Sequence, residues 1–238
     1  MTLPKPPVPT YELELPSSGK TIKYRPFLVS EEKILLMAME SEDEKQITQA
    51  VKDIVKACVL TKGVKIEDLA SFDIEYIFLN IRGKSVGEEV KMKIICNDDN
   101  ETEVEYTLDL SKVEVQKNPD HDAKILLDDT TGIVMKYPGV DQFIQTQIMM
   151  KSLNAEEVFD IIIDSVHQIF SGEEVFEAKT TSRKEIEDWM GGLTSKQFEK
   201  VKDFFATMPK LAHTFKVTNP NTGVESEYTI EGLVNFFG

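Results

Sequence analysis

The chain has 238 residues, room for one large domain or two small ones. Its 42 acidic and 27 basic side chains leave a net charge of -15. That balance repels phosphate backbones and anionic bilayers, so neither a nucleic acid nor a membrane is expected as a partner. Hydrophobic residues make up 41%, enough for a core, and the acidic excess favours solubility or steering toward a basic partner. Two cysteines, Cys58 and Cys96, are too few for a disulfide framework and suit a reducing cytoplasm. The opening Met1-Thr2-Leu3-Pro4-Lys5-Pro6-Pro7 has no apolar core, so no signal peptide is expected. The longest apolar run, at 34–39, is six residues, far below the ~20 that span a bilayer.

Residues 1–10 hold four prolines and predict an extended arm, with Pro4, Pro6 and Pro7 as candidate partner contacts. Tyr11, Leu13 and Leu15 alternate with Glu12 and Glu14, and Ile22 and Tyr24 resume the alternation after Ser17-Ser18-Gly19-Lys20. This predicts a β-hairpin, 11–15 with 20–25. Ser30-Glu31-Glu32 opens a short helix carrying Ile34, Leu35 and Met39. The acidic junction Ser41-Glu42-Asp43-Glu44 starts a second helix, whose face is Ile47, Val51, Ile54, Val55 and Cys58, ending near Gly63. A loop with one extended piece, 64–70, leads to the stretch around which the chain is organised. There Ile74, Ile77, Phe78 and Ile81 form one helical face, with Ser71 as the expected N-cap and Gly83 as the expected stop.

Val90, Met92 and Ile94 predict a strand, residues 96–100 a turn, and Val104, Tyr106 and Leu108 the return strand. Residues 121–138 are extended, with short strands around 125–127 and 133–135 about a turn at 128–132. From Pro138 the pattern turns helical. Val140, Phe143, Ile144 and Ile148 form one face. Asn154-Ala155-Glu156-Glu157 opens a helix expected to run through Val166, Ile169 and Phe170. Capping boxes at Ser182 and Thr194 open two more. A closing hairpin uses 214–217 and the strand containing Tyr228 and Ile230. A short helix follows, ending in Phe236-Phe237, two further candidate contacts. The expected class is therefore α+β. It comprises an arm (1–10), an α+β domain with two hairpins (11–137) and a helical domain with a terminal hairpin (138–238).

Glu105-Tyr106-Thr107-Leu108-Asp109 is echoed by Glu227-Tyr228-Thr229-Ile230-Glu231, with Cys96 and Thr218 each nine residues ahead. The layout is similar to a zinc ribbon, but of the knuckle cysteines only Cys96 remains. Asn97, Asp99, Asn219 and Thr222 stand at the other positions. One thiolate cannot hold a structural zinc, so metal-free hairpins are expected, their turns satisfied by Asn and Asp side chains. No other cofactor or metal is expected. Gly83-Lys84-Ser85 lacks the first glycine of a phosphate loop and follows a helix. His121, His167 and His213 have no metal-motif spacing, and 98–101 lacks the EF-hand glycine and closing glutamate. No nucleophile elbow frames a serine, so no catalytic set is visible and no enzyme is expected.

Three blocks carry a family likeness: Tyr24-Arg25-Pro26-Phe27-Leu28-Val29-Ser30-Glu31-Glu32-Lys33; Phe72-Asp73-Ile74-Glu75-Tyr76-Ile77-Phe78-Leu79-Asn80-Ile81-Arg82-Gly83-Lys84-Ser85; and Phe204-Phe205-Ala206-Thr207-Met208-Pro209 with Gly232-Leu233-Val234-Asn235-Phe236-Phe237. They resemble the T4-type bacteriophage baseplate hub protein family over nearly the whole chain. The resemblance implies a non-enzymatic part in building the central hub of a contractile tail's baseplate, in the host cytoplasm, through contact with other baseplate proteins. Self-association stays open. So does the alternative of an assembly chaperone or adaptor that binds a hub component and is absent from the mature virion.

Overall fold

In the computed structural model, residues 6–41, 43–139, 142, 155–232 and 236 are described. The class is α+β, with six helices and several small antiparallel sheets among the described residues. The chain divides into two compact units. One is built from 1–116 and 210–238, the other from 117–209. This division differs from the expected boundary at 137/138. The strand pair 124–135 belongs with the helices that follow it, and the closing hairpin belongs with the first part of the chain.

The first unit begins with the hairpin β1 (Tyr11–Glu14) and β2 (Thr21–Tyr24). Helix α1 (Val29–Glu40) and helix α2 (Glu44–Cys58) follow. Asp43 caps α2, its carboxylate accepting from Lys45 N–H at 2.9 Å. α2 stops at Cys58 rather than near Gly63. Extended Val59 bridges to Tyr24, and Leu60 N–H donates to the Lys23 carbonyl at 2.7 Å, so β2 draws the chain out of helix. The expected extended piece at 64–70 is a 3-10 turn, Ile66–Asp68.

Helix α3 (Ser71–Val86) is the centre of this unit. Phe72, Ile74, Ile77, Phe78, Leu79 and Ile81 are each no more than 2% exposed, roughly 2 kcal/mol of burial apiece. A helix apolar on most sides is one packed on most sides. Its first N-terminal residue outside the helix is Ala70, not Ser71, and Gly83 lies within it. The stop is Gly87, at φ 129, a conformation that L side chains rarely adopt. The acid in its first turn, Asp73, is fully buried and accepts from the backbone N–H (3.0 Å) and the hydroxyl of Ser17, so the first hairpin's turn is tied to α3.

Two hairpins complete the unit: β3 (Glu89–Ile95) with β4 (Glu103–Asp109), and β10 (Lys210–Thr218) with β11 (Glu225–Glu231). β10 also pairs with β5 (Glu114–Gln116), giving the order β11-β10-β5. Leu79, Val90, Leu108, Leu110, Val113, Leu211 and Phe236 share one core.

The second unit holds a four-stranded antiparallel sheet, β6 (Lys124–Leu126), β7 (Thr131–Met135), β8 (Val166–Ser171) and β9 (Glu174–Glu177), in that order. Here the expected long helix is corrected. α4 (Ala155–Asp164) ends before Val166, and Val166, Ile169 and Phe170 lie on β8. Gly172 at φ 60 opens a two-residue turn into β9. Helices α5 (Arg183–Gly191) and α6 (Ser195–Thr207) both start with the expected capping boxes. Ile133, Met135, Ile162, Ile169, Ile186, Met190, Val201 and Phe204 form the shared core. The expected helical face at Val140, Phe143, Ile144 and Ile148, and the cap Asn154, lie outside the described residues.

Candidate functional site

The two similar hairpins of the first unit meet at their turns. Each turn closes with the same bond. Asn100 N–H donates to the Cys96 carbonyl, and Gly223 N–H to the Asn219 carbonyl, both at 2.8 Å. Asn100 and Gly223 both take positive φ, 56° and 74°. Cys96 therefore corresponds in the turn to Asn219 rather than Thr218, because the second turn is shorter. Within the first turn Asp99 accepts from the N–H groups of Glu101 and Thr102, each at 3.0 Å. Within the second, Asn219 accepts from Asn221 N–H at 2.8 Å.

The turns also bond to each other. The Asn219 amide donates to Asp98 at 3.0 Å and to Asp99 at 2.9 Å, and the Thr222 hydroxyl donates to Asp98. Asn221 donates to the Thr102 hydroxyl at 2.9 Å, and Asn97 N–H to the Tyr228 hydroxyl at 2.8 Å. Tyr106 stacks on Phe215 with centroids 3.9 Å apart beneath this junction. The hydrogen bonds hold the carboxyls below the usual range, Asp98 chiefly through Thr222 and Asp99 chiefly through Thr102. Cys96 is buried, and burial raises its thiol. Amide and hydroxyl donors thus join the two turns at the positions where a ribbon would place ligands. Among the described residues no group of three or more His, Cys, Asp or Glu is placed to hold a metal ion.

A second polar cluster fixes the start of α1. The Arg25 guanidinium meets Glu31 at 2.7 and 2.8 Å and also donates to the carbonyls of Pro26 (2.9 Å) and Ala57 (3.0 Å). Glu31 in turn accepts from Leu28 N–H at 2.7 Å. Arg25 holds the Glu31 carboxyl low, while burial pushes the Cys58 thiol up to about 12. Ser85 accepts from Phe27 N–H at 2.9 Å, and Lys84 pairs with Glu88. The residues of the discarded phosphate-loop likeness therefore brace the α3 end and the entry to α1.

In the second unit, Arg183 pairs with Asp160, Asp164 and Glu187. It stands on a 310 Å³ cleft also lined by Lys136, His167, Glu177 and Lys179. Opposite charges are paired there, Arg183 with Asp164 and Lys179 with Glu177 at 3.7 Å. Elsewhere in this unit His121 bonds to Thr207 and Tyr137, both at 3.0 Å, and its ring lies 5.0 Å from that of Phe204.

A family model described as T4 bacteriophage base plate protein matches residues 8–238. The chain belongs to that family. No curated protein and no solved structure matches it. Of the contacts expected for this base plate protein, Pro6 and Pro7 are exposed. Phe236 is 1% exposed and packs with Leu79 and Leu108, so its ring serves the core rather than a free surface. Pro4 and Phe237 lie outside the described residues. The exposed apolar face of α1 was not anticipated. Its signal was there: Ile34-Leu35-Leu36-Met37 puts apolar residues on more sides than one neighbour can cover. Among the described residues no helix is long and apolar enough to cross a membrane.

Proposed function

We propose that this base plate family member is a non-enzymatic structural or assembly protein of the baseplate hub of a contractile phage tail. It acts through contacts with other baseplate proteins in the host cytoplasm. The observation that carries this reading is family membership across 8–238, joined to the hub-type likeness of the α3 block. The use of the polar clusters supports it. Arg25, Glu31, Asp98, Asp99 and Arg183 all hold turns or helices in place. The exposed proline arm, Pro6 and Pro7 in particular, is a candidate contact.

The test is infection with phage carrying a disrupted gene for this chain, with mass spectrometry of purified wild-type virions. Tails that lack an assembled hub, with the chain present in stoichiometric amount in virions, are the expected result. Hub failure with the chain absent from virions would assign it instead to a chaperone that leaves. Normal hubs without the chain would refute both. Stoichiometric metal or nucleotide in the purified protein would reopen an enzymatic role.

A further inference from the structure

We propose that the outward face of α1 docks into an apolar groove with a basic rim on another baseplate protein. This rests on the baseplate reading above and names a surface for it.

α1 buries Leu35 and Ala38. The opposite stripe is Val29, Lys33, Leu36, Met37 and Glu40, spaced i, i+4, i+7, i+8 and i+11. Val29 is 81% exposed, Met37 60%, Leu36 53%, Ile34 51% and Leu28 42%. Singly scattered apolar side chains are ordinary on a surface, but these five fall within 28–37, with Val29, Leu36 and Met37 on the outward stripe and Leu28 and Ile34 on its two flanks.

Local helix chemistry points the same way. Leu28 stands at the N-cap, where its side chain can accept no hydrogen bond. Ser, Thr, Asp or Asn there would stabilise the helix by about 1 kcal/mol. β-Branched Val29 follows at the first helical position, largely in water. Glu31 satisfies the Leu28 N–H, so the departure is confined to the outward side chains of Leu28 and Val29, and a local departure of this kind is the expected mark of a functional surface. The start of the element is also tied down, by the Arg25–Glu31 pair and by the bond from Phe27 N–H to Ser85. A helix already anchored in the free protein loses less freedom on docking.

Charge and area identify the occupant. Glu32 and Glu40 make no ion pair among the described residues and outnumber the one cation of this face, Lys33, and the chain carries -15 overall. A basic rim complements them, whereas a second copy would bring two acidic surfaces together. Two such helices laid side by side would meet over only about 18 Å, too little for the ~800 Å² per partner of a stable interface. A groove reaches both flanks, taking in Leu28 and Ile34 as well as Leu36 and Met37, in the manner of helix-in-groove recognition.

The test expresses the full chain with a photocrosslinking amino acid at position 37 in infected cells, with and without Ile34→Gln and Leu36→Gln. Both substitutions lie on the exposed surface and keep helix propensity, and an unchanged melting temperature verifies folding. The expected result is a crosslink to a different, identified baseplate protein, falling about tenfold or more with the double variant. Glu32→Lys with Glu40→Lys is expected to weaken it too. A crosslink to a second copy of this chain overturns the proposal. So does a chain that still co-purifies with baseplate proteins but never crosslinks from position 37, which leaves the baseplate reading standing. A wild-type chain that neither co-purifies with baseplate proteins nor is needed for the hub overturns both.

Discussion

Asn219 donates its side-chain amide to Asp99 at 2.9 Å, across 120 positions of sequence, and with the same group reaches Asp98. Its own carbonyl oxygen is taken by Asn221 N–H, so the amide is oriented with its donors toward the carboxylates. Asn219→Ala is expected to lower stability by about 1–3 kcal/mol, because a buried donor and its bonds are lost together. Asn219→Asp should be worse, since it sets a third carboxylate against two. Chemical denaturation checks both. The depressed carboxyls give this junction a pH dependence. Their contribution is complete above the ordinary aspartate range, about 3.9, and is lost as pH falls through their lower folded values. NMR of the Asn219 side-chain amide across an acid titration reads this directly.

Glu31 is the only carboxylate that meets the Arg25 guanidinium among the described residues, and both side chains are mostly covered, at 15% and 17% exposure. Glu31→Ala leaves that cation beside Cys58 with carbonyls alone, at an expected cost of about 3 kcal/mol by urea unfolding. Removing both partners, as Arg25→Met with Glu31→Leu, should cost less than Glu31→Ala. A double variant weaker than the single would show that the pair does more than neutralise itself. Glu31 has a lowered pKa, so its contribution is present above the ordinary glutamate range and fades below it.

Gly132 lies opposite Phe170 on β7 and β8, and the ring covers the place where a side chain would begin. A Cβ there would also stand 2.5 Å from the Ile125 carbonyl oxygen. Gly132→Ala should destabilise the second unit by about 1–3 kcal/mol or prevent its folding. Phe170→Leu in the same chain should recover part of that loss, and no more, because the carbonyl stays. Circular dichroism melts distinguish these outcomes.

His121 gives the second unit a dependence near neutral pH. The Thr207 hydroxyl donates to the Asp203 carbonyl, so it accepts from His121 Nδ1–H, and Nε2 accepts from Tyr137. The neutral ring thus has both nitrogens satisfied, and burial lowers its pKa. The unfolded chain binds this proton more readily. Stability is therefore complete above about pH 6.5 and declines as pH falls from there toward the folded value. Unfolding midpoints between about pH 5 and 7.5 should fall on acidification in the wild type and stay flatter in His121→Phe.

The first unit was largely legible because its signals are local. Alternation over 11–24 and 90–108, the face of α2, and the all-round apolarity of α3 each stand within one element. The hidden parts depend on distant residues. β5 is three residues long and is a strand only because β10 pairs with it 94 or more positions later. Val166, Ile169 and Phe170 continue the three-and-four spacing of Ile161 and Ile162, so a helix and a buried strand look alike there. The Gly172 turn, followed by Val175 and Phe176, was the signal that separates them. At α3 the expected stop was Gly83, and the helix runs one turn further, to Gly87. Gly83 keeps helical backbone, whereas Gly87 takes the positive φ that ends the helix. The α1 face was half legible: the run 34–37 shows that some apolar residue must stay uncovered, but periodicity does not say which.

The first unit is assembled from two lengths of chain with the second unit between them. During synthesis, Leu79 and Leu108 have left the ribosome long before Leu211 and Phe236, the residues that seal them, have been translated. The inserted 117–209 is complete first, and the earlier half waits with its sheet one hairpin short. A premature stop before β10 would therefore remove the closing hairpin and leave the upstream core open to water.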